Sequence, residues 1–249
     1  MIVPFLYMII TSLKVTYTYD FNFSLTNLTL KNYMTIFKDT NFFNYFINSF
    51  IIAVAGVILT VTFSSLAGFA FAKKKFAGND KIFFFMIATL IIPSQVTMIP
   101  LYIIMRNLGW INTYYALILP IPTAFGVFLM RQAILNIPND LLESARIDGY
   151  TDLQIFIHIV LPLIKPAIIT LSIFTFIGAW NEFLWPLIIT TKDSMRTLTV
   201  GMATLQAQYI VNYGLVMAGA TLTFLPSFIF YLILQSKFVE GVTLSGIKG

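Results

Sequence analysis

Polar and apolar positions in this chain fall into long blocks. No residue is charged from Thr40 to Ala72, and none again from Ile82 to Met105. Further apolar blocks run from Tyr114 to Met130, from Lys165 to about Thr190, and within Gly214 to Leu234. A helix that crosses a bilayer needs about 20 mostly apolar residues, so each block predicts a span. The start, MIVPFLYMIITSLK, is apolar for only about a dozen residues and reads as the second half of a first span whose beginning is missing or unusually short. It lacks the basic beginning and small-residue cleavage site of a signal peptide. Residues 14–42, with Lys14, Asp20, Lys31, Lys38 and Asp39, read as an exposed loop with short helical pieces.

The blocks carry internal punctuation. The second span is expected to begin near Asn44 to Asn48, and Ser64, Gly68 and Ala72 form a small-residue stripe that lets another helix approach closely. Pro93 and Pro100 lie inside the third span and Pro120 and Pro122 inside the fourth, where proline removes a helix hydrogen bond and bends the axis. Arg106 to Thr113 reads as a short outer turn, Arg131 as the end of the fourth span, and Lys192, Asp193 and Arg196 as a polar outer stretch. The cluster Lys73, Lys74, Lys75, with Lys81, places that loop in the cytoplasm by the positive-inside rule. Arg131, Arg146, Lys165, Lys237 and Lys248 then fall on the same side, and Lys14, Lys31, Lys38, Arg106, Lys192 and Arg196 on the other. This sets the C-terminal tail, 236–249, in the cytoplasm.

Composition agrees with the blocks. The 249 residues are 58% hydrophobic and 10% charged, with mean hydropathy +0.86, where a soluble domain carries about 25% charged residues. The expectation is an all-α polytopic membrane protein forming one transmembrane domain over 1–249. With no cysteine, a disulfide framework and a cysteine-ligated metal site are excluded. The net charge of +5 points to lipid headgroups and loop orientation before nucleic acid. The chain has no G-x-x-x-x-G-K-[ST] and so lacks the phosphate-cradling loop of an ATPase.

One stretch does not fit a span. Between apolar blocks, residues 136–165 carry LLESARIDGYTDLQIFIHIVLP, from Leu141 to Pro162, with the only histidine, His158. It reads as two short helices around a glycine. Asp140 is expected to cap the first, with Glu143 completing a capping box. Gly149 supplies the positive φ of a helix end. Thr151 and Gln154 cap the second helix, and Pro162 stops it. Leu141, Leu142, Ser144 and Ala145 give the first helix a small, apolar surface suited to docking in a groove. The blander alternative is a solvated interfacial loop with ordinary caps.

The same stretch resembles the cytoplasmic signature of permease subunits of ATP-driven importers: EAA, three residues, G, nine residues, I-x-L-P. Here Glu143-Ser144-Ala145 leads to Gly149 and then to Ile159, Leu161 and Pro162, with six of the seven positions matched and Ser144 in place of the first alanine. PSQVTMIPLY (Pro93–Tyr102), LGWINTYYALILP (Leu108–Pro120), AWNEFLWPLI (Ala179–Ile188) and the tail FVEGVTLSGIKG are similar to the smaller, maltose-type subunit of the carbohydrate-uptake branch. The resemblance implies a type I importer fold of about six helices. It implies pairing with a second, larger permease, two ATP-binding subunits and an extracytoplasmic solute-binding protein, in the cytoplasmic membrane of a prokaryote. It implies that the loop is a coupling element. Glu143, Ser144, Ala145, Arg146, Asp148, Gly149, Ile159, Leu161 and Pro162 would then face the ATPase, and ATP and Mg would sit on the partner subunits, with no cofactor on this chain.

Glu182 is the only acidic residue placed within a span, about eight residues, roughly 12 Å, from its outer end. An intramembrane carboxylate is a functional candidate by default. With Asn181 and Trp180 it forms the candidate translocation group; packing is the alternative for each. His158 has no second histidine and no cysteine to make a metal site, and no nucleophile–base pair or paired carboxylates suggest a catalyst. The function expected is a permease subunit importing a sugar, polyol or oligosaccharide at the cost of ATP. An ion-coupled secondary transporter or a structural membrane-assembly subunit are the alternatives.

Overall fold

The computed structural model describes residues 2–18, 23–208 and 212–246, the side chains of 205–208 and 234–246 excepted; Asp20 and Lys248 lie outside them. The described residues are helical and irregular, with no strand. Two helices are long and apolar enough to cross a membrane unbroken: α3 (Phe42–Lys73) and the Tyr213–Ile233 part of the last helix. The first is 32 residues long, about 48 Å at 1.5 Å per residue, enough for a tilted crossing. Before it come α1 (Val3–Ser12) and α2 (Lys31–Asp39), the helical piece expected in the 14–42 loop.

The other apolar blocks are broken, and the prolines explain where. The block 82–105 is not one kinked helix. It is α4 (Asn79–Ile91) and α5 (Ser94–Asn107), set at 103° to one another. A proline forces the residue before it out of the helical region, and Ile92 accordingly sits at φ −79°, ψ 119° ahead of Pro93. Pro100, by contrast, is carried inside α5 without interrupting it. The fourth block divides around Pro120 and Pro122 into α6 (Tyr114–Ile118) and α7 (Ala124–Leu135), which runs past Arg131 for another turn. The inner loop supplies α8 (Asn139–Ile147) and α9 (Asp152–Leu163). Lys165 and Pro166 open α10 (Lys165–Asn181) as expected, at 77° to α9. The fifth block then breaks at Glu182 and Phe183 and resumes as α11 (Leu184–Ile189). A helix absent from the sequence reading, α12 (Leu198–Gln208), follows. The last helix, α13 (Tyr213–Gly246), continues well past Leu234 into the expected tail.

Three apolar clusters hold the bundle together. One joins α2, α3, α10, α12 and α13 through Ile36, Phe42, Tyr45, Phe176, Trp180 and Leu215. A second joins α3, α5, α6 and α11 through Ile52, Met105, Leu117 and Trp185. The third ties the loop helices to α3, α7 and α10 through Phe69, Met130, Leu142, Ile155, Val160 and Leu171. The small-residue stripe performs as expected. A Cβ added at Gly68 would meet Met130 Cβ at 2.7 Å and the Arg131 amide nitrogen at 2.9 Å, so α3 and α7 touch backbone to backbone there.

The two ends of the bundle are chemically distinct. At one end Lys73–Lys75 meet the loop 136–165. At the other, Asn112, in the left-handed region at φ 60°, accepts from the amides of Thr191 and Lys192 at 2.7 and 2.8 Å and donates to Thr191 Oγ1 at 2.8 Å. Asn48, expected near the start of the span, is instead buried, and its amide donates to the carbonyls of Ser194 and Arg196, both at 2.9 Å. Tyr45 donates to Asp193 at 2.6 Å, and Arg196 pairs with the same carboxylate at 3.1 Å. The Tyr45 hydroxyl, more than any other neighbour, holds the Asp193 carboxyl below its usual range.

Candidate functional site

The loop helices are built by local chemistry. Asp140 does not cap α8. Pro138 ends the preceding segment at φ −58°, ψ 138°, and the helix begins at Asn139 with no side-chain cap. This leaves Asp140 inside the first turn, where its charge favours the helix dipole, and Glu143 free of a capping box. The C-terminal end follows expectation. Gly149 has φ +87°, the Gly149 amide donates to Arg146 O at 3.0 Å, and the Tyr150 amide reaches back to Ala145 O at 3.0 Å, a Schellman motif. Thr151 and Gln154 form the expected capping box, with the Thr151 amide donating to Gln154 Oε1 at 2.8 Å.

Pro162 does not stop α9. The helix widens into a π turn over Phe156–Val160 and continues in α geometry through Leu163, so Pro162 sits just past the π turn, one residue before the helix ends. The chain bends two residues later, at Ile164 (φ −92°, ψ 11°). His158 Nδ1 lies 3.0 Å from Gln154 O at an exposed position.

The loop has two faces. Leu142, Ala145, Ile155, Phe156 and Val160 turn inward and are buried. Ala145 is therefore a packing position, and a larger side chain there would lift α8 off the bundle. Glu143, Ser144, Arg146, Asp148, Gly149 and Pro162 are exposed, and Ile159 and Leu161 are half-buried. The Ser144 hydroxyl donates to Leu141 O at 3.0 Å, which accommodates the departure from alanine. Among these polar groups stand exposed apolar side chains: Ile147 at 87%, with Leu141, Tyr150, Leu153 and Ile157. The outer surface of the loop therefore mixes exposed apolar side chains with charged ones.

The lysine cluster anchors this surface, a role not foreseen from sequence. Lys73 Nζ donates to Ile137 O at 2.6 Å and to Asn139 Oδ1 at 2.9 Å. Lys74 forms an ion pair with Asp152, which Arg146 also approaches at 3.5 Å. The Lys74 hydrogen bond is the main reason the Asp152 carboxyl is held below its usual range. One acidic side chain thus links α3, α8 and α9. A cleft of about 820 Å³ runs between the lysines and α8.

The helix breaks generate a second feature within the apolar layer. A cavity of about 410 Å³ lies among α3, α5, α10 and α11 and the Pro120–Thr123 segment, with Glu182, Thr60, Ser94, Thr97, Thr175 and Trp185 in its lining. Glu182 occupies the break between α10 and α11, and its Oε1 accepts the Trp185 amide at 3.2 Å. Its carbonyl accepts from Thr199 Oγ1 at 2.8 Å. Trp180 lies elsewhere. It is 1% exposed, stacks on Phe176 and donates to Thr223 O at 3.0 Å, so it packs the core rather than lining a path. Asn181 is exposed and donates to Ile177 O at 2.9 Å.

Residues 61–243 match the family described as the binding-protein-dependent transport system inner membrane component. The chain belongs to this family. It is a membrane-embedded permease component of an ATP-binding-cassette importer and not itself an enzyme, which sets aside the ion-coupled and purely structural alternatives. The chain is 38% identical over 229 residues to the arabinooligosaccharides transport system permease protein of Halalkalibacterium halodurans, a match spanning 91% of this chain and 82% of that protein. It is 35% identical to the lactose transport system permease protein of Rhizobium radiobacter, spanning 82% and 74%. A chain of the crystal structure of a bacterial ABC transporter involved in the import of the acidic polysaccharide alginate superposes with TM-score 0.85, covering 95% of this permease and 90% of that chain at 24% identity. That likeness establishes the type I importer fold.

Proposed function

We propose that this permease conducts a short carbohydrate across the cytoplasmic membrane and draws its energy from ATP-binding subunits seated on the 139–163 helices. The observation that carries the reading is the two-faced loop. Its inner face is fixed to the bundle by Leu142, Ala145, Ile155 and Lys73, while its outer face offers Ile147 and its apolar neighbours. A helix held rigidly on one side and exposed on the other transmits a rigid-body push. Glu143, Ser144, Arg146, Asp148 and Gly149 would contact the ATPase directly, and Ile159, Leu161 and Pro162 would set the angle at which α9 leaves for α10. The lysine cluster beside the loop supports a cytoplasmic location for this end.

The relatives' arabinooligosaccharide and lactose substrates support a carbohydrate as cargo. The cavity at the helix breaks would be this subunit's share of the path, completed by a second permease against the exposed α4–α5 face. Delivery by an external binding protein suits the opposite, polar end of the bundle. The test is uptake of labelled oligosaccharides by vesicles holding the assembled transporter. Uptake should require ATP inside and the binding protein outside; uptake driven by an ion gradient without ATP would defeat the reading.

A further inference from the structure

We infer that the cavity at the helix breaks is a charge-selective sugar subsite, in which Glu182 and Thr60 hold ligand hydroxyls and Glu182 turns away uronates. This rests on the carbohydrate reading above and goes further, since it assigns residues and a substrate charge class. Two independent observations carry it.

The first is an unpaired buried hydroxyl. Thr60 is 2% exposed, lines the cavity, and its Oγ1 has no hydrogen-bond partner. Helical serines and threonines usually bond the carbonyl one turn back, and Thr170, Ser172, Thr221 and Thr223 do so here, whereas Thr60 and Ser64, one turn apart on α3, do not. A buried polar atom without a partner calls for one, and a ligand hydroxyl supplies it. The second is the charge of the lining. Among the described residues around the cavity there is one carboxylate, Glu182, and no lysine, arginine or histidine. Glu182 Oε1 is fixed by the Trp185 amide, which leaves Oε2 to accept from a hydroxyl. Thr97 and Thr175 add hydroxyls, and Trp185 and Phe174 add the apolar surface that the C–H face of a pyranose needs. A uronate here would meet a carboxylate with no cation from this chain to offset it.

The experiment is equilibrium binding of labelled trisaccharides to the assembled transporter in detergent, without its external binding protein. Maltotriose, arabinotriose and raffinose serve as the neutral probes and trigalacturonate as the anionic one. The best neutral probe should bind at least about tenfold tighter than trigalacturonate. Glu182→Gln keeps an acceptor for the Trp185 amide and removes the charge, and should bring that ratio below about threefold. Thr60→Val should remain in the membrane at the usual level, weaken neutral binding several-fold and leave the ratio intact. Equal binding of both classes by the unmodified protein, or an unchanged ratio in Glu182→Gln, overturns the inference alone. Failure of every trisaccharide to bind overturns the inference alone; the carbohydrate reading beneath it falls if the complete transporter, given ATP and its binding protein, takes up none of them.

Discussion

Gly149 offers the sharpest separation between the loop's shape and its contents. A Cβ built there meets nothing within 4 Å, so a substitution meets no steric obstacle. The cost is confined to the backbone, which sits at φ +87° to place the Gly149 and Tyr150 amides on Arg146 O and Ala145 O. An L-residue in the left-handed region costs about 1–2 kcal/mol. That energy lowers the population of the native loop by roughly 5- to 30-fold relative to its alternatives. Because the loop helices remain buried against α3 and α7, the bundle itself should still fold and insert. Gly149→Ala should therefore weaken binding of the ATP-binding subunit by up to that factor while leaving membrane levels unchanged. Gly149→Asn should fall near the unmodified protein, because asparagine tolerates positive φ. The assay is a titration of purified ATP-binding subunit onto the solubilised permease, with membrane abundance measured in parallel. Equal affinities for glycine, asparagine and alanine would refute the reasoning, as would loss of the alanine variant from the membrane.

Other expectations follow from the same geometry. Asp152→Asn should weaken ATPase binding at neutral pH by no more than about 1 kcal/mol, since the pair with Lys74 is partly exposed. The Asp152 carboxyl is held below its usual range, so its contribution is present above about pH 4 and lost as pH falls through the folded value. The variant and the parent should converge in acid, which a binding series against pH will check. Gly68→Val should destabilise the bundle by about 1–3 kcal/mol or more, because its side chain meets backbone on α7, and should reduce membrane abundance on a blot. Trp180→Phe should cost about 1–3 kcal/mol of stability by removing the indole bond to Thr223 O and thinning the packing on Phe176, while transport per folded molecule stays near normal; a specific loss of transport would place Trp180 in the path.

The block pattern was a reliable guide to which residues enter the apolar layer and an unreliable one to their continuity. Hydropathy averages over a window, and an apolar residue at a bend looks like one in a helix, so the breaks at Pro93 and around Pro120–Pro122 read as kinks. The break at Glu182 has no proline at its centre; its local sign is Pro186, four residues on, whose ring excludes the Glu182 carbonyl from a helical hydrogen bond. The loop was legible in greater detail because capping and positive-φ signals act over three or four residues. Thr151, Gln154 and Gly149 do what their spacing implies, whereas Pro138 takes over the start of α8 from Asp140. The division of the motif into buried Ala145 and exposed Glu143 and Ser144 depends on tertiary packing, as does the role of Lys73 and Lys74, whose partners lie 60 or more residues away. α12 went unread because its mixed polar and apolar residues form no strong apolar block. Thr60 was invisible for a further reason, since nothing in the sequence marks a hydroxyl that fails to bond its own helix.

In the proposed assembly the outer face of the 139–163 helices carries the ATPase contact. The chain contains no cysteine, so a single one at Ile147, the most exposed apolar side chain of the loop, can be cross-linked without background from this subunit. In membranes that hold the assembled transporter, Ile147→Cys should cross-link to the ATP-binding subunit. Lys192→Cys, at the opposite end of the bundle, should not. Cross-linking from Lys192 with none from Ile147, in a complex that still hydrolyses ATP, would contradict the account.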